Sequence, residues 1–195
     1  AADGMSVDLR SRLAQRLDAE IAAAPPARAA VLQVQRAMLW LRHGHEAEAR
    51  AALDRLHAQA LARPGAELAA WLHLAEGLMA YYSAFGGGAR ERVRRAFVMA
   101  GAAGLASLQA LCQAWLAQMA FVDRDIDGLV AHATAALAGA PDDATACRVA
   151  SALGMAWDLA RDEAAAGAWY AWGRRAASAD GDEAGFAALL YNQMQ

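Results

Sequence analysis

The chain has 195 residues, 58% of them hydrophobic, and a formal net charge of −3. That length suits one domain of ordinary size or one short solenoid, either with a substantial core. The small negative charge argues against a general polyanion-binding role, which needs a surplus of basic side chains.

Alanine supplies much of the hydrophobic fraction, and alanine is the best helix former and the smallest side chain that still buries apolar surface. Only four prolines occur. Strand-forming runs of Val, Ile and Thr are missing, so an all-α fold with almost no sheet is expected. All 18 basic residues are arginine. Cys112 and Cys147 form no CxxC pair and read as two buried thiols. There is no uninterrupted apolar run of about 20 residues and no signal-peptide pattern at the start. The chain therefore reads as soluble and cytoplasmic. It opens AADGM without an initiator methionine, so a trimmed terminus or a removed signal stays open.

In chain order, residues 6–23 place Val7, Leu9, Leu13, Leu17 and Ile21 on one helical face, with Ser6 as a cap. Pro25-Pro26 breaks that helix and opens the next, which runs to about His43 with Val31, Val34, Met38, Trp40 and Leu41 inward and Gly44 as its stop. A third helix covers residues 45–63 and ends at Pro64-Gly65. The fourth, residues 66–84, is apolar on more than one face through Leu68, Trp71, Leu72, Leu74, Leu78 and Met79. Gly86-Gly87-Gly88 interrupts it. An arginine-rich fifth helix follows, with Val93, Phe97 and Val98 on its buried side. The sixth, residues 105–122, turns Leu108, Leu111, Cys112, Trp115, Leu116 and Met119 inward. Residues 126–139, 143–160 and 163–179 form three more, with Pro141 between the first two. A tenth starts at Asp182 or Glu183 and runs to the end.

Short links and the absence of a polar linker imply a single domain, 1–195, with residues 1–24 as an N-terminal cap and 182–195 as a terminal helix. The corners at Gly44, Gly87, Arg124 and Arg161 stand about 43, 37 and 37 residues apart, a spacing that marks a stacked helical repeat. Trp40 and Trp157 each lie four residues before a corner. The six tryptophans read as large fillers of an alanine-rich core. Trp169 and Trp172 are too close in sequence to share one narrow stripe, so one of them is expected at the surface.

The pattern resembles the tetratricopeptide repeat family, whose unit is an antiparallel helix pair with small crossing residues, a glycine-aspartate corner and a late proline. Asp125-Ile126-Asp127-Gly128-Leu129, followed by Ala133, Ala136, Leu137 and Pro141, carries the resemblance best. Arg161-Asp162-Glu163 with Ala166, Tyr170 and Gly173 is a second match, and Ala49, Leu53, Leu56 and Pro64 fit the Gly44 unit. The resemblance covers most of residues 28–195, with arginine in place of the corner glycine twice. It implies a right-handed superhelical solenoid of about ten antiparallel helices, in tetratricopeptide-like pairs. It also implies scaffolding, with first helices lining a concave groove for a peptide or partner helix.

Polar positions on otherwise apolar first helices are the groove candidates: His73 and Glu76, Gln109 and Gln113, Arg148, and Asn192. Arg148 is the strongest, because arginine suits a partner carboxylate while glutamine and asparagine suit its backbone. Arg90, Arg94 and Arg95, after the triple glycine, form a candidate patch for an anion or acidic partner. That segment lacks the Lys and Ser/Thr of a phosphate loop.

Asp123, Asp125, Asp127 and Gly128 have the opening spacing of a calcium loop. However, Thr134 stands where a bidentate glutamate is needed, and residues from 126 on read as helix, so the aspartates read as helix caps. His43, His45, His57 and His73 lack any zinc-motif spacing. No nucleophile elbow, cofactor fingerprint or paired catalytic carboxylates occur. The expectation is a non-enzymatic scaffold for a protein or peptide, without cofactor. The alternative is a ligand-sensing regulatory domain of a larger bacterial transcription or signalling protein, marked by an apolar pocket between the fourth and sixth helices.

Overall fold

The structure, a computed structural model, describes residues 11–84, 88–139 and 141–194. Among these the fold is all-α, with helices α1 (Arg12–Ala23), α2 (Pro26–Arg42), α3 (Glu46–Ala62), α4 (Ala66–Ala84), α5 (Ala89–Ala102), α6 (Ala106–Val122), α7 (Ile126–Ala138), α8 (Asp143–Leu159), α9 (Glu163–Asp180) and α10 (Glu183–Gln193). The expected elements are all present, with ends shifted by a residue or two. The exception is α1, which starts from the Ser11 cap, whose hydroxyl accepts from the Ala14 N–H. Ser6, Val7, Leu9 and the Gly86-Gly87 corner lie outside the described residues. Contacts divide the chain into two compact units, Ala1–Met99 and Ala100–Gln195.

In the first unit α1 packs on α2, with Leu13, Ala14 and Leu17 meeting Leu32 and Leu39. α2 also packs on α3 and α4. Gly77 of α4 lets α5 approach closely: a β-carbon there would come within 2.7 Å of Val93 Cγ2. Ser83 donates to Glu46 at 2.7 Å, joining the end of α4 to the start of α3. That bond, helped by Arg50, holds the Glu46 carboxyl below its ordinary range. Val98, expected inward on α5, is exposed. Val93 and Ala96 already fill the inner face there, and position 98 falls outside that stripe at 100° per residue.

In the second unit the helices pack as sequential pairs, the arrangement of a helical repeat: α6 with α7, α8 with α9, and α6 with α8. One core joins Ala114, Ala117 and Ala120 of α6, Leu129, Ala133 and Ala136 of α7, and Val149, Ala152 and Leu153 of α8. Small side chains at the crossings bring the axes close, and leucines fill what remains. Trp169 and Trp172 are both half-buried and pack edge to face, with ring centroids 5.6 Å apart. The pair is thus shared between core and surface, and neither residue is fully exposed. Trp40 and Trp115 are buried as expected, whereas Trp157 is exposed. Trp157 lies in the last turn of α8.

The corners are one motif repeated. At Gly44, Gly104, Arg124, Arg161 and Gly181, φ is 80°, 70°, 58°, 61° and 74°. In each, the N–H of the following residue donates back to a carbonyl five residues earlier: His45 to Trp40, Leu105 to Ala100, Asp125 to Ala120, Asp162 to Trp157 and Asp182 to Ala177. This is the Schellman closure, in which a left-handed residue lets the chain turn back on the helix end. The carboxylates of Asp125, Asp162 and Asp182 then accept from Gly128, Ala165 and Gly185 at the start of the next helix.

Arg124 and Arg161 therefore hold a conformation that costs an L-residue about 1–2 kcal/mol and glycine almost nothing. Changing either to glycine is expected to raise stability by about 0.5–1 kcal/mol net, after the greater freedom of the unfolded chain is offset. Changing either to alanine should give no such gain. Urea unfolding of the two series checks this.

Candidate functional site

Arg148 sits in the second turn of α8, half-buried. Its guanidinium lies over the indole of Trp115 on α6, 4.7 Å from the ring centroid, while Trp115 itself is buried. Neither residue belongs to the set turned toward α7, so the stacked pair marks the other side of the α6–α8 seam. Charge is sparse along these two helices. α6 contains no Asp, Glu, Lys, Arg or His, and Arg148 is the single charged residue of α8 between Asp143 and Asp158. Stacking on an aromatic face fixes the plane of the guanidinium and leaves its donors arrayed around the edge of that plane.

The first unit holds a counterpart. Arg36 of α2 lies over Trp40, 4.9 Å from the centroid, and its Nη1 donates to Asp18 of α1 at 2.6 Å. There the same side-chain pair reads a carboxylate with the edge of the stacked cation.

The other candidates lie elsewhere. Glu76 turns to the preceding helix, with its Oε1 2.8 Å from His57 Nε2 of α3 and its Oε2 3.5 Å from His73 Nδ1. Both ring nitrogens are shielded from solvent, yet neither is aligned for a hydrogen bond. These are close approaches of one carboxylate to two imidazoles, His57 across the α3–α4 seam and His73 one turn back on α4 itself. Gln109 lies against Gly101 of α5. Gln113 pairs with His132 of α7, Oε1 to Nδ1, at 2.6 Å. Asn192 is half-buried near the end of α10, and its neighbour Gln193 accepts from Arg174 of α9. The structure thus joins His73 with Glu76 and gives Gln113 and Arg148 separate partners. It does not gather the candidates at one point.

On α5, Arg94 is exposed, Arg90 is half-buried, and Arg95 is paired with Glu91 at 3.2 Å one turn before it. In the former calcium reading, Asp125 spends its carboxylate on capping α7, as expected of a corner aspartate. Among the described residues no group of three or more His, Cys, Asp or Glu is placed to hold a metal ion. Neither is any described helix long and apolar enough to cross a membrane.

Trp115, His57 and His132 were not read as site partners from the sequence. The available signal for Trp115 was its spacing from Arg148, close to one repeat, which puts the two on neighbouring first helices.

Cys112 is buried on α6, and desolvation pushes its thiol up to about 12 from 9.0. Folding thus favours the neutral thiol: its contribution is complete below pH 9.0 and is lost as pH rises toward about 12. The fall in melting temperature across that alkaline window should be shallower in Cys112→Ala than in wild type, as read by circular dichroism.

Comparison of the chain with protein-family models, with curated proteins and with solved structures gives no match.

Proposed function

We propose that the chain is a non-enzymatic, tetratricopeptide-like interaction module that captures a protein or peptide segment on the α6–α8 face of its second unit, with Arg148 reading a partner carboxylate. The observation that carries this reading is the Arg148 guanidinium stacked over buried Trp115, with no charged residue on α6 and no other on α8 between Asp143 and Asp158. A partly desolvated guanidinium fixed on an indole discriminates between partners, since an acidic segment gains a charge-assisted bond there and a basic one is repelled. Arg36 over Trp40 supports the assignment from within the same chain, because its stacked guanidinium donates to Asp18. Helix pairs with short corners support the scaffolding role, since successive first helices form an extended side on which a segment can lie.

Selection of displayed random peptides against the purified chain tests the proposal. Enriched sequences should carry Asp, Glu or a free C-terminal carboxylate, and amidation or Asp→Asn exchange in a selected peptide should weaken its binding. Enrichment of basic or purely apolar peptides would contradict it.

A further inference from the structure

The carboxylate that Arg36 holds comes from a helix. On α2, Leu32, Arg36 and Leu39 stand at steps of four and three, which puts them in one row along the helix. The helix lying on that row is α1, which sets Leu13, Ala14 and Leu17 against Leu32 and Leu39, with Ile21 packed at the edge. Asp18 follows Leu17 directly and takes the Arg36 Nη1 at 2.6 Å. The chain thus contains one complete example of a stacked arginine in use. An amphipathic helix covers the row, its apolar side chains meet the leucines, and its carboxylate meets the edge of the guanidinium on the indole.

The row recurs on α8. Ala144, Arg148, Ser151 and Met155 stand at steps of four, three and four, the spacing of a ridge into which a second helix packs. Ala144, Arg148 and Met155 are half-buried, and none of the four belongs to the core shared with α7. Where α2 has leucines on both sides of its arginine, α8 has Ala144 and Ser151. These small side chains let a partner backbone come close, and the partner supplies the bulk. The charges of α8 place the partner's acid as well. Asp143 stands five residues before Arg148 and Asp158 ten after it, about 7 and 15 Å along the axis. A carboxylate is therefore favoured beside Arg148 and repelled toward either end of the row, which suits one acid at the middle of a helix and not an acidic tail.

Resting on the assignment of Arg148 above, we propose that the segment captured on the α6–α8 face is an amphipathic helix with one Asp or Glu at the middle of its apolar side. Its pattern is that of α1, with large apolar side chains five and one residues before the acid and three after it, as Leu13, Leu17 and Ile21 stand to Asp18.

Titration calorimetry and circular dichroism of acidic peptides selected against the full chain test this. Binders should show that spacing, and the mixture should be more helical than its separate components. A lactam bridge across two solvent-facing positions of the peptide, four residues apart, should tighten binding about threefold or more. Proline in the middle of the peptide should weaken it about tenfold or more. Ala144→Gln, which lengthens one side chain of the row without changing charge, should weaken binding by a similar factor while leaving the circular dichroism of the chain unaltered. Undiminished binding of the proline peptide, with Asp→Asn still weakening it, would overturn the helix and leave the role of Arg148 standing. A helical peptide indifferent to Ala144→Gln would also overturn the proposal. Binding insensitive to both Asp→Asn and Arg148→Gln would overturn the two readings together.

Discussion

Tyr170→Ala is expected to cost about 3–5 kcal/mol of stability, the range for removing a large buried ring. Tyr170 is 1% exposed. It belongs to one buried cluster with Ala146, Cys147, Ala166, Ala176, Ala177 and Leu189, which draws on α8, α9 and α10. Gly154 of α8 is the matching socket: a β-carbon there would collide with the Tyr170 ring. Alanines cannot collapse far enough to refill the space, which places the cost at the high end for such a change. The hydroxyl matters less. It donates to Asp158 at 2.5 Å, and burial followed by that bond raises the phenol above its ordinary range. Because Asp158 is exposed, its carboxylate regains water when the donor is removed, so Tyr170→Phe should cost only about 1 kcal/mol. Urea unfolding checks the contrast. Equal losses for the two variants would show that the ring does not hold the seam.

The architecture was legible because its determinants are local. Alanine-rich periodicity, Pro25-Pro26, Gly44, Gly181 and the corner aspartates each fix a helix end through backbone geometry or a cap, and the elements in the structure follow them. Arg124 and Arg161 could be placed at corners by spacing alone. Their left-handed backbone is a property of the closure and not of arginine. The side-chain partners were not legible, because they depend on rotation between packed helices. Nothing in the spacing says that Glu76 turns to α3, that Gln113 turns to α7, or that Arg148 lies on Trp115. Trp157 escaped for a related reason: a position before a corner is buried in α2 and exposed in α8, since the neighbours that cover it differ.

Arg148→Glu should abolish capture of acidic peptides, and Arg148→Gln should weaken it by about 10- to 100-fold, the loss expected when one partner of a charge-assisted pair is removed. Arg148→Lys should recover only part of the affinity. An ammonium keeps the charge but lacks the planar fork that can lie on Trp115 and donate at its edge. None of the three should lower the melting temperature much, since Arg148 is half-buried and lies outside the core that joins α6, α7 and α8. The most direct measurement is titration calorimetry of one selected acidic peptide against wild type, Arg148→Lys and Arg148→Gln at two salt concentrations. The expected result is affinity falling in that order, with salt weakening wild type more than Arg148→Gln. Equal affinities for all three proteins would contradict the assignment of Arg148 as the residue that reads the partner's carboxylate.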